Sequence, residues 1–206
     1  MSTANALDRN IGHALNYLDK TELAKNTVVI YASDQGFYLG EHGWFDKRFM
    51  YEESLKTPFV IRYPDVIKPR TQIHRLVSNL DWAPTILNLA EAAVDQEMQG
   101  VSFLPLLKGQ QTSWRKQAYY HYYEFPKPCH IYPHFGLRTE HYKLIRFYGL
   151  KNFWELYNLK KDPYEVHNVY GQKGYETLIT TLKTNLREQI KHYKDEEALK
   201  LFDEKR

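Results

Sequence analysis

Apolar side chains near the start of the chain recur at helical spacing. The stripe consists of Leu7, Ile11, Leu15 and Leu18. These residues are four, four and three positions apart, so they share one face and predict a helix over residues 4–19. The segment 22–26, with the polar residues Glu22, Lys25 and Asn26, predicts a polar turn after this helix.

Two short apolar runs follow the predicted helix. Residues 27–32 read TVVIYA and residues 58–62 read PFVIR. Apolar, β-branched runs that follow a helix are typical of strands buried on both faces of a mostly parallel sheet. A further helix is predicted over residues 81–93, with Asn79 or Asp81 as its N-terminal cap.

The pattern changes near residue 109, beyond which short strands separated by turns predict an antiparallel unit. The predicted strands cover residues 119–125, 136–139, 142–148 and 154–159. After Gly174, leucines four residues apart predict a helix, and the charged tail after Tyr193 is expected to fray. The predicted fold class is therefore α/β over residues 1–110, followed by a small antiparallel sheet with a packed C-terminal helix over residues 111–206. A soft boundary is placed at residues 105–115.

Composition limits the classes of partner. The chain has 28 basic and 25 acidic residues, a balance that gives no support for a nucleic-acid partner. No apolar stretch reaches the roughly 20 residues of a membrane-spanning helix, so no membrane span is expected. Cys129 is the single cysteine, which excludes an intrachain disulfide and a cysteine-rich zinc site.

Candidate chemistry follows the first predicted strand. Asp34 and Gln35 offer a carboxylate and an amide oxygen, which are ligands suited to calcium or magnesium. Lys47 is a compact positive charge able to neutralise an oxyanion, and His42 is able to donate a proton near neutral pH. Taken singly, each of these residues also fits a turn, a surface lysine or a structural histidine. Together, on one loop after one strand, they favour a functional site.

An ordered series of segments resembles the second half of the sulfatase catalytic domain, in the alkaline phosphatase superfamily. The segments are residues 7–12 (LDRNIG), 27–36, 39–43 (LGEHG) with Lys47, 51–54 (YEES), 57–62 (TPFVIR), 78–87 (SNLDWAPTIL) and 100–107 (GVSFLPLL). Residues 155–159 (ELYNL), 162–163 and 165–168 resemble the sulfatase C-terminal subdomain. The series covers nearly the whole chain, and it implies the C-terminal part of an alkaline phosphatase-like α/β sandwich.

The resemblance implies roles for the candidate residues. Asp34 would ligate Ca²⁺, and Gln35 occupies a position where sulfatases often have another metal ligand, Asn or His. Lys47 would contact the sulfate or the bridging ester oxygen. His42 would assist catalysis, although not every sulfatase carries a histidine at that position. Exported sulfatases are common, so the resemblance also implies a periplasmic or secreted protein.

A narrower resemblance lies in the second half of the chain. Residues 119–124 (YYHYYE) and 134–145 (HFGLRTEHYKLI) look like bacterial sulfatases of the N-acetylglucosamine-6-sulfatase, or mucin-desulfating, type. This resemblance implies a sulfated carbohydrate substrate with His134 near the sugar. The alternative for His134 is a structural histidine in a hairpin, and Arg138 is expected to be structural.

Sulfatases cleave with a formylglycine made from the Cys or Ser of a C/S-x-P-S-R motif, and the 206 residues contain no such motif. Cys129 lies in KPCHI without a following Ser-Arg, so it is rejected as the nucleophile. The family's N-terminal Asp-Asp pair of metal ligands is absent too. The expectation is an incomplete Ca²⁺ site and a chain that is inactive alone, with a missing N-terminal half as the partner that would complete it.

Three alternatives remain open from the sequence. The first is a phosphonate or phosphodiester hydrolase of the same superfamily, which shares the sheet and the metal chemistry. The second is a non-catalytic carbohydrate-binding fragment, which would bind sulfated sugars without turnover. The third is a gene fragment without independent stability.

Overall fold

The computed structural model describes residues 2–64, 66–125 and 130–204. Its first half consists of α1 (Ser2–Lys20), β1 (Val29–Ala32), β2 (Tyr38–Leu39), β3 (Phe45–Asp46), α2 (Glu52–Leu55), β4 (Phe59–Arg62), α3 (Trp82–Leu89) and α4 (Leu104–Leu107). The predicted N-terminal helix is confirmed. A 3₁₀ turn at Leu23–Asn26 replaces the simple polar turn that the sequence predicted.

Strands β1 and β4 pair antiparallel, with Ala32 opposite Phe59. The predicted parallel arrangement of these two strands, buried on both faces, is therefore wrong. Tyr31 is 44% exposed and Val60 is 63% exposed, so one face of the pair is open. An apolar run indicates that a strand is buried against another element. It gives no information on whether the strand pairs parallel or antiparallel with its neighbour. The connection from β1 to β4 contains the β2–β3 hairpin and the four-residue helix α2, not a long crossover helix.

A 3₁₀ turn at Asn79–Asp81 directly precedes helix α3, which ends at Leu89, before the predicted residue 93. Asp81 is the N-cap residue of α3, as predicted, although its side chain makes no capping hydrogen bond to that helix, and Ser78 caps the preceding 3₁₀ turn. The Ser78 Oγ accepts the Leu80 N–H at 3.4 Å, while the Asp81 carboxylate accepts the Ser78 N–H at 2.8 Å. Asp81 is fully buried, and two N–H groups of Arg115 bind its oxygens at 2.5 and 2.6 Å.

The second half forms a four-stranded antiparallel sheet in sequential order, with two helices. The elements are β5 (Gln117–Tyr122), β6 (His134–Thr139), β7 (Tyr142–Phe147), β8 (Phe153–Asn158), α5 (Glu176–His192) and α6 (Glu196–Asp203). The predicted antiparallel sheet and packed helix are confirmed. Leu182, Leu186 and Ile190 of α5 pack on one face of the sheet. The expected fraying of the tail is wrong, because Asp195 caps α6 and Ala198 is fully buried.

The loop after β1, which contains the candidate residues His42 and Lys47, packs on the other face of this sheet. Tyr38, Phe49 and Met50 pack against Ile145 and Phe147 of β7. Residues 38–51 therefore take their position from the C-terminal sheet, although they lie far from it in sequence. The boundary at residues 105–115 stays a prediction. Among the described residues, no helix combines the length and apolarity that crossing a bilayer requires.

Candidate functional site

The chain turns sharply where β1 ends. The Asp34 Oδ1 accepts the Gln35 N–H at 3.0 Å, and the Ser33 hydroxyl donates to the Gln35 carbonyl at 2.7 Å. The Gly36 N–H donates to the Ser54 carbonyl at 2.8 Å. A Cβ at residue 36 would lie 1.9 Å from the Glu53 carbonyl oxygen, so only glycine fits this approach of two backbones.

Lys47 reaches this turn from the short hairpin formed by β2 and β3. With the Gln35 amide set so that its carbonyl faces the lysine, Lys47 Nζ donates to it at 3.0 Å. In the same orientation, Gln35 Nε2 donates to Asp34 Oδ2 at 3.1 Å. The structure thus places Asp34, Gln35 and Lys47 in one continuous cluster, with Asp34 exposed and the other two partly buried. We call these three residues the strand-end cluster.

Arg48, the residue that follows Lys47, is held by hydroxyl groups at both its backbone N–H and its carbonyl oxygen. The Arg48 N–H donates to Ser54 Oγ at 3.0 Å, and the Tyr120 hydroxyl donates to the Arg48 carbonyl at 2.8 Å. The Arg48 guanidinium also pairs with the Asp46 carboxylate. Arg48, Ser54 and Tyr120 were not predicted from the sequence to be functional residues. The family-like YEES segment was the signal that could have drawn attention to Ser54.

His42 makes its described contacts with a different part of the loop. Its φ of 55° lies in the left-handed region, and its Nε2 is 3.3 Å from Glu53 Oε2. The ring stacks on Tyr51 with centroids 4.5 Å apart. These contacts hold His42 against α2. The members of the strand-end cluster, in contrast, contact one another through Gln35. A catalytic role for His42 stays a prediction.

His134 lies inside the protein with no exposed surface. Its Nδ1 is 2.8 Å from the Tyr132 carbonyl oxygen. Four aromatic rings surround it, those of Phe49, Tyr120, Tyr122 and Phe147. Burial lowers the pKa of His134 to about 4, although the carbonyls of Tyr132 and Arg48 oppose this shift. The structure gives His134 a packing environment, and its contact with a sugar stays a prediction.

A buried charge network fixes α2 to the C-terminal sheet. Lys143 is fully buried, with Nζ 2.9 Å from Glu52 Oε1 and 2.7 Å from Glu165 Oε1. Arg138, predicted to be structural, pairs with Glu52 at 3.2 Å. Burial alone would raise the pKa of Glu52, but Lys143 and Arg138 outweigh it and lower the pKa to about 2. Burial raises the pKa of Glu165, opposed by the same lysine.

The strand-end cluster offers oxygen atoms, which are the ligand type that hard cations such as Ca²⁺ prefer. The Asp34 carboxylate and the Gln35 amide carbonyl are oxygen ligands, and the Gln35 oxygen already faces a positive group. Two residues supply a minority of the roughly six to eight oxygens that Ca²⁺ takes. Within residues 2–64, 66–125 and 130–204, no group of three or more His, Cys, Asp or Glu side chains is arranged to hold a metal.

Comparison with known proteins identifies the class. The family described as N-sulphoglucosamine sulphohydrolase, C-terminal, matches residues 40–205. The chain therefore belongs to the sulfatase family, as the ordered motifs predicted, and its match is to the C-terminal region of that family.

Two individual proteins show a high similarity to this chain over most of its length. An N-acetylglucosamine-6-O-sulfatase of Bacteroides thetaiotaomicron is 46% identical over 198 residues, which cover 95% of this chain and 36% of that protein. The solved structure of BT4656 in complex with its substrate D-glucosamine-2-N,6-O-disulfate matches with a TM-score of 0.89 and 46% identity, over 93% of this chain and 39% of that one. The chain thus spans little more than a third of the length of the relatives it matches.

A third comparison concerns a neighbouring activity. The phosphonate monoester hydrolase of Agrobacterium radiobacter superposes with a TM-score of 0.75 at 25% identity, over 88% of this chain and 39% of that one. The α/β fold with an antiparallel C-terminal unit, predicted from the sequence, is therefore shared with both sulfatases and a phosphonate hydrolase.

Proposed function

We propose that this chain forms the C-terminal part of a sulfatase that removes sulfate from a sulfated glycan such as N-acetylglucosamine-6-sulfate. The observation that carries the proposal is the contact of Lys47 with Gln35 at 3.0 Å, beside Asp34. The names of the relatives support the substrate class, since one is an N-acetylglucosamine-6-O-sulfatase and another binds a glucosamine disulfate.

Each residue of the strand-end cluster has a chemical task in this proposal. Asp34 and Gln35 contribute oxygen ligands to a Ca²⁺ site. Lys47 places an ammonium group beside the bound sulfate, where it balances charge on the ester oxygen that departs. In sulfatases a formylglycine supplies the nucleophile, and Ca²⁺ stabilises the sulfate oxygens. His42 and His134 are secondary candidates, for proton transfer and sugar contact respectively.

The 206 residues alone are proposed to be inactive, because they contain no formylglycine motif. Incubation of the purified chain with an aryl sulfate and with N-acetylglucosamine-6-sulfate should release no sulfate above a Lys47→Ala control. Turnover that depends on Lys47 would overturn this part of the proposal.

The function is tested in a hybrid enzyme. In this hybrid, the 206 residues replace the matched part of the Bacteroides thetaiotaomicron N-acetylglucosamine-6-O-sulfatase. We expect the hybrid to release sulfate from N-acetylglucosamine-6-sulfate and to be disabled by Lys47→Ala. Lys56→Ala is the matched control, since Lys56 is an exposed lysine on the same segment. A hybrid that folds and lacks sulfatase activity would contradict the proposal.

The likeness to a phosphonate monoester hydrolase supplies a second candidate activity. The same hybrid should therefore be assayed with a phosphonate monoester and a phosphodiester. A higher kcat/KM for these substrates than for the sulfate ester would assign the site to phosphonate or phosphodiester hydrolysis. Binding of sulfated sugar without any turnover would instead support a carbohydrate-binding role.

A further inference from the structure

Lys47 lies between two residues with unusual backbone conformation. Asp46 has a φ of 85° and Arg48 has a φ of 106°, and neither is glycine. Residues other than glycine adopt such angles at a cost in free energy, so the surrounding structure must hold them in place. The direction in which the Lys47 side chain leaves the backbone depends on these two conformations.

Ser54 links the backbones of both arms of the strand-end cluster. Its Oγ accepts the N–H of Arg48, the residue after Lys47, at 3.0 Å. Its carbonyl accepts the N–H of Gly36, the residue after Gln35, at 2.8 Å. Ser54 is only 5% exposed, so water competes little for these hydrogen bonds. One buried residue therefore sets the separation of the two backbones that carry Gln35 and Lys47.

Tyr120 holds Arg48 at its carbonyl group, on the side of the residue away from Lys47. Its hydroxyl donates to the Arg48 carbonyl at 2.8 Å, and its backbone belongs to β5, paired with Gly136 of β6. Helix α2, which contains Ser54, is fixed to the same sheet, because Glu52 pairs with Arg138 and Lys143. Both hydroxyl groups that hold Arg48 are thus positioned by the C-terminal sheet.

We propose that Ser54 and Tyr120 are positioning residues that hold the strained Asp46–Arg48 segment so that Lys47 meets Gln35. The C-terminal sheet then sets the geometry of the strand-end cluster, although it contributes no residue to that cluster. The catalytic consequence of this inference rests on the proposed function, while the geometric claim does not.

The geometric claim is tested on the 206-residue chain by acylating its lysines and measuring the rate at Lys47 by mass spectrometry. Tyr120→Phe and Ser54→Ala should raise that rate about two- to tenfold, the shift expected when one hydrogen bond is lost. The NMR signals of the Gln35 side-chain amide should move in the same variants. Tyr119→Phe and Ser78→Ala are matched controls, because their hydroxyls bind Asp195 and the Leu80 N–H instead.

The catalytic consequence is tested in the hybrid enzyme with the same variants. Displacement of Lys47 should lower kcat about ten- to a hundredfold with little change in KM. A purely structural role would lower the yield of folded enzyme and leave kcat per active molecule unchanged. Unaltered Lys47 acylation and Gln35 signals in both variants would overturn the inference. An inactive unsubstituted hybrid would count against the proposed function, while the acylation rates would still decide the geometric claim.

Discussion

At the residue scale, the histidine that sequence reasoning placed near a sugar is a buried part of an aromatic cluster. His134 has no exposed surface, and burial lowers its pKa to about 4. A histidine that stays neutral in the folded state, but charges when unfolded, makes stability depend on pH. Its environment therefore has a consequence that is measurable without any substrate.

We expect His134→Phe to reduce the loss of stability on acidification. Between pH 6.5 and about 4, the unfolded chain binds a proton at this residue and the folded chain does not. The free energy of unfolding therefore falls as pH falls through this window, by at most about 3 kcal/mol from this group. Urea denaturation at pH 7, 5.5 and 4.5 measures the effect. His141→Gln, at an exposed histidine, is the control for replacement of a histidine.

A glycine also determines the geometry of the site. Gly36→Ala should destabilise the protein by about 1–3 kcal/mol, because its Cβ would overlap the Glu53 carbonyl and force the backbones apart. Gly12→Ala is the control, since nothing lies within 4 Å of a Cβ at this position in α1. That substitution should stabilise the helix by up to about 1 kcal/mol. Equal effects of the two substitutions in thermal unfolding would show that Gly36 is unconstrained.

The three residues of the strand-end cluster could be selected from the sequence. The residues that hold them in place, Ser54 and Tyr120, could not. Asp34, Gln35 and Lys47 stood out because polar and charged residues follow a predicted strand. Ser54 and Tyr120 belong to segments that could equally be ordinary helix and strand. Their importance depends on hydrogen bonds to Arg48 that join residues 6 and 72 positions apart, and local patterns carry no information on such contacts.

At the element scale, the charge network beneath α2 links the two halves of the molecule by ion pairs. Lys143 and Arg138 come from the sheet, while Glu52 begins the helix that follows Lys47. Glu165 adds a second carboxylate to Lys143 and accepts the Glu52 N–H at 2.6 Å. The start of α2 is therefore held by one hydrogen bond from the Glu52 N–H to the Glu165 carboxylate and by the ion pairs of Glu52 with Lys143 and Arg138.

Lys143→Met should destabilise the protein by about 3–5 kcal/mol at pH 7, since the buried Glu165 carboxylate loses its lysine partner and Glu52 is left with Arg138 alone. The cost should be smaller at pH 4, where Glu165, whose pKa is already raised by burial, takes up a proton. Denaturation at the two pH values measures the difference. Lys173→Met, at an exposed lysine, should change the stability little. A loss that is the same at both pH values would contradict this assignment of charge.

Helices and strands with a long apolar pattern were predicted well from the sequence. Features that depend on tertiary contacts, such as strand pairing, were predicted poorly. Helix α1 and the antiparallel sheet followed from their apolar patterns. The direction of β4 relative to β1 did not, because pairing is a contact between distant segments. Helix α6 was missed since its sequence is strongly charged. It is stabilised by the Asp195 cap and by burial of Ala198, and Asp195 also binds His121 at 2.6 Å.

At the scale of the whole molecule, large apolar side chains remain exposed beside the strand-end cluster. Leu39 is 76% exposed and Phe45 is 73% exposed, both on the β2–β3 hairpin. Val60 of β4, in the separate β1–β4 sheet, is 63% exposed. Exposed apolar patches of this kind mark interaction surfaces in soluble proteins. In the hybrid enzyme we expect the rest of the sulfatase to cover part of these exposed apolar side chains.

The central claim is that Asp34 and Gln35 hold a cation while Lys47 acts on the sulfate. The most direct test is the Ca²⁺ dependence of sulfate release by the hybrid enzyme. Asp34→Asn should raise the Ca²⁺ concentration for half-maximal activity at least about tenfold, because a charged ligand is lost. Lys47→Met should instead lower kcat and leave the Ca²⁺ requirement unchanged. Full activity of both variants at the original Ca²⁺ concentration would contradict the account.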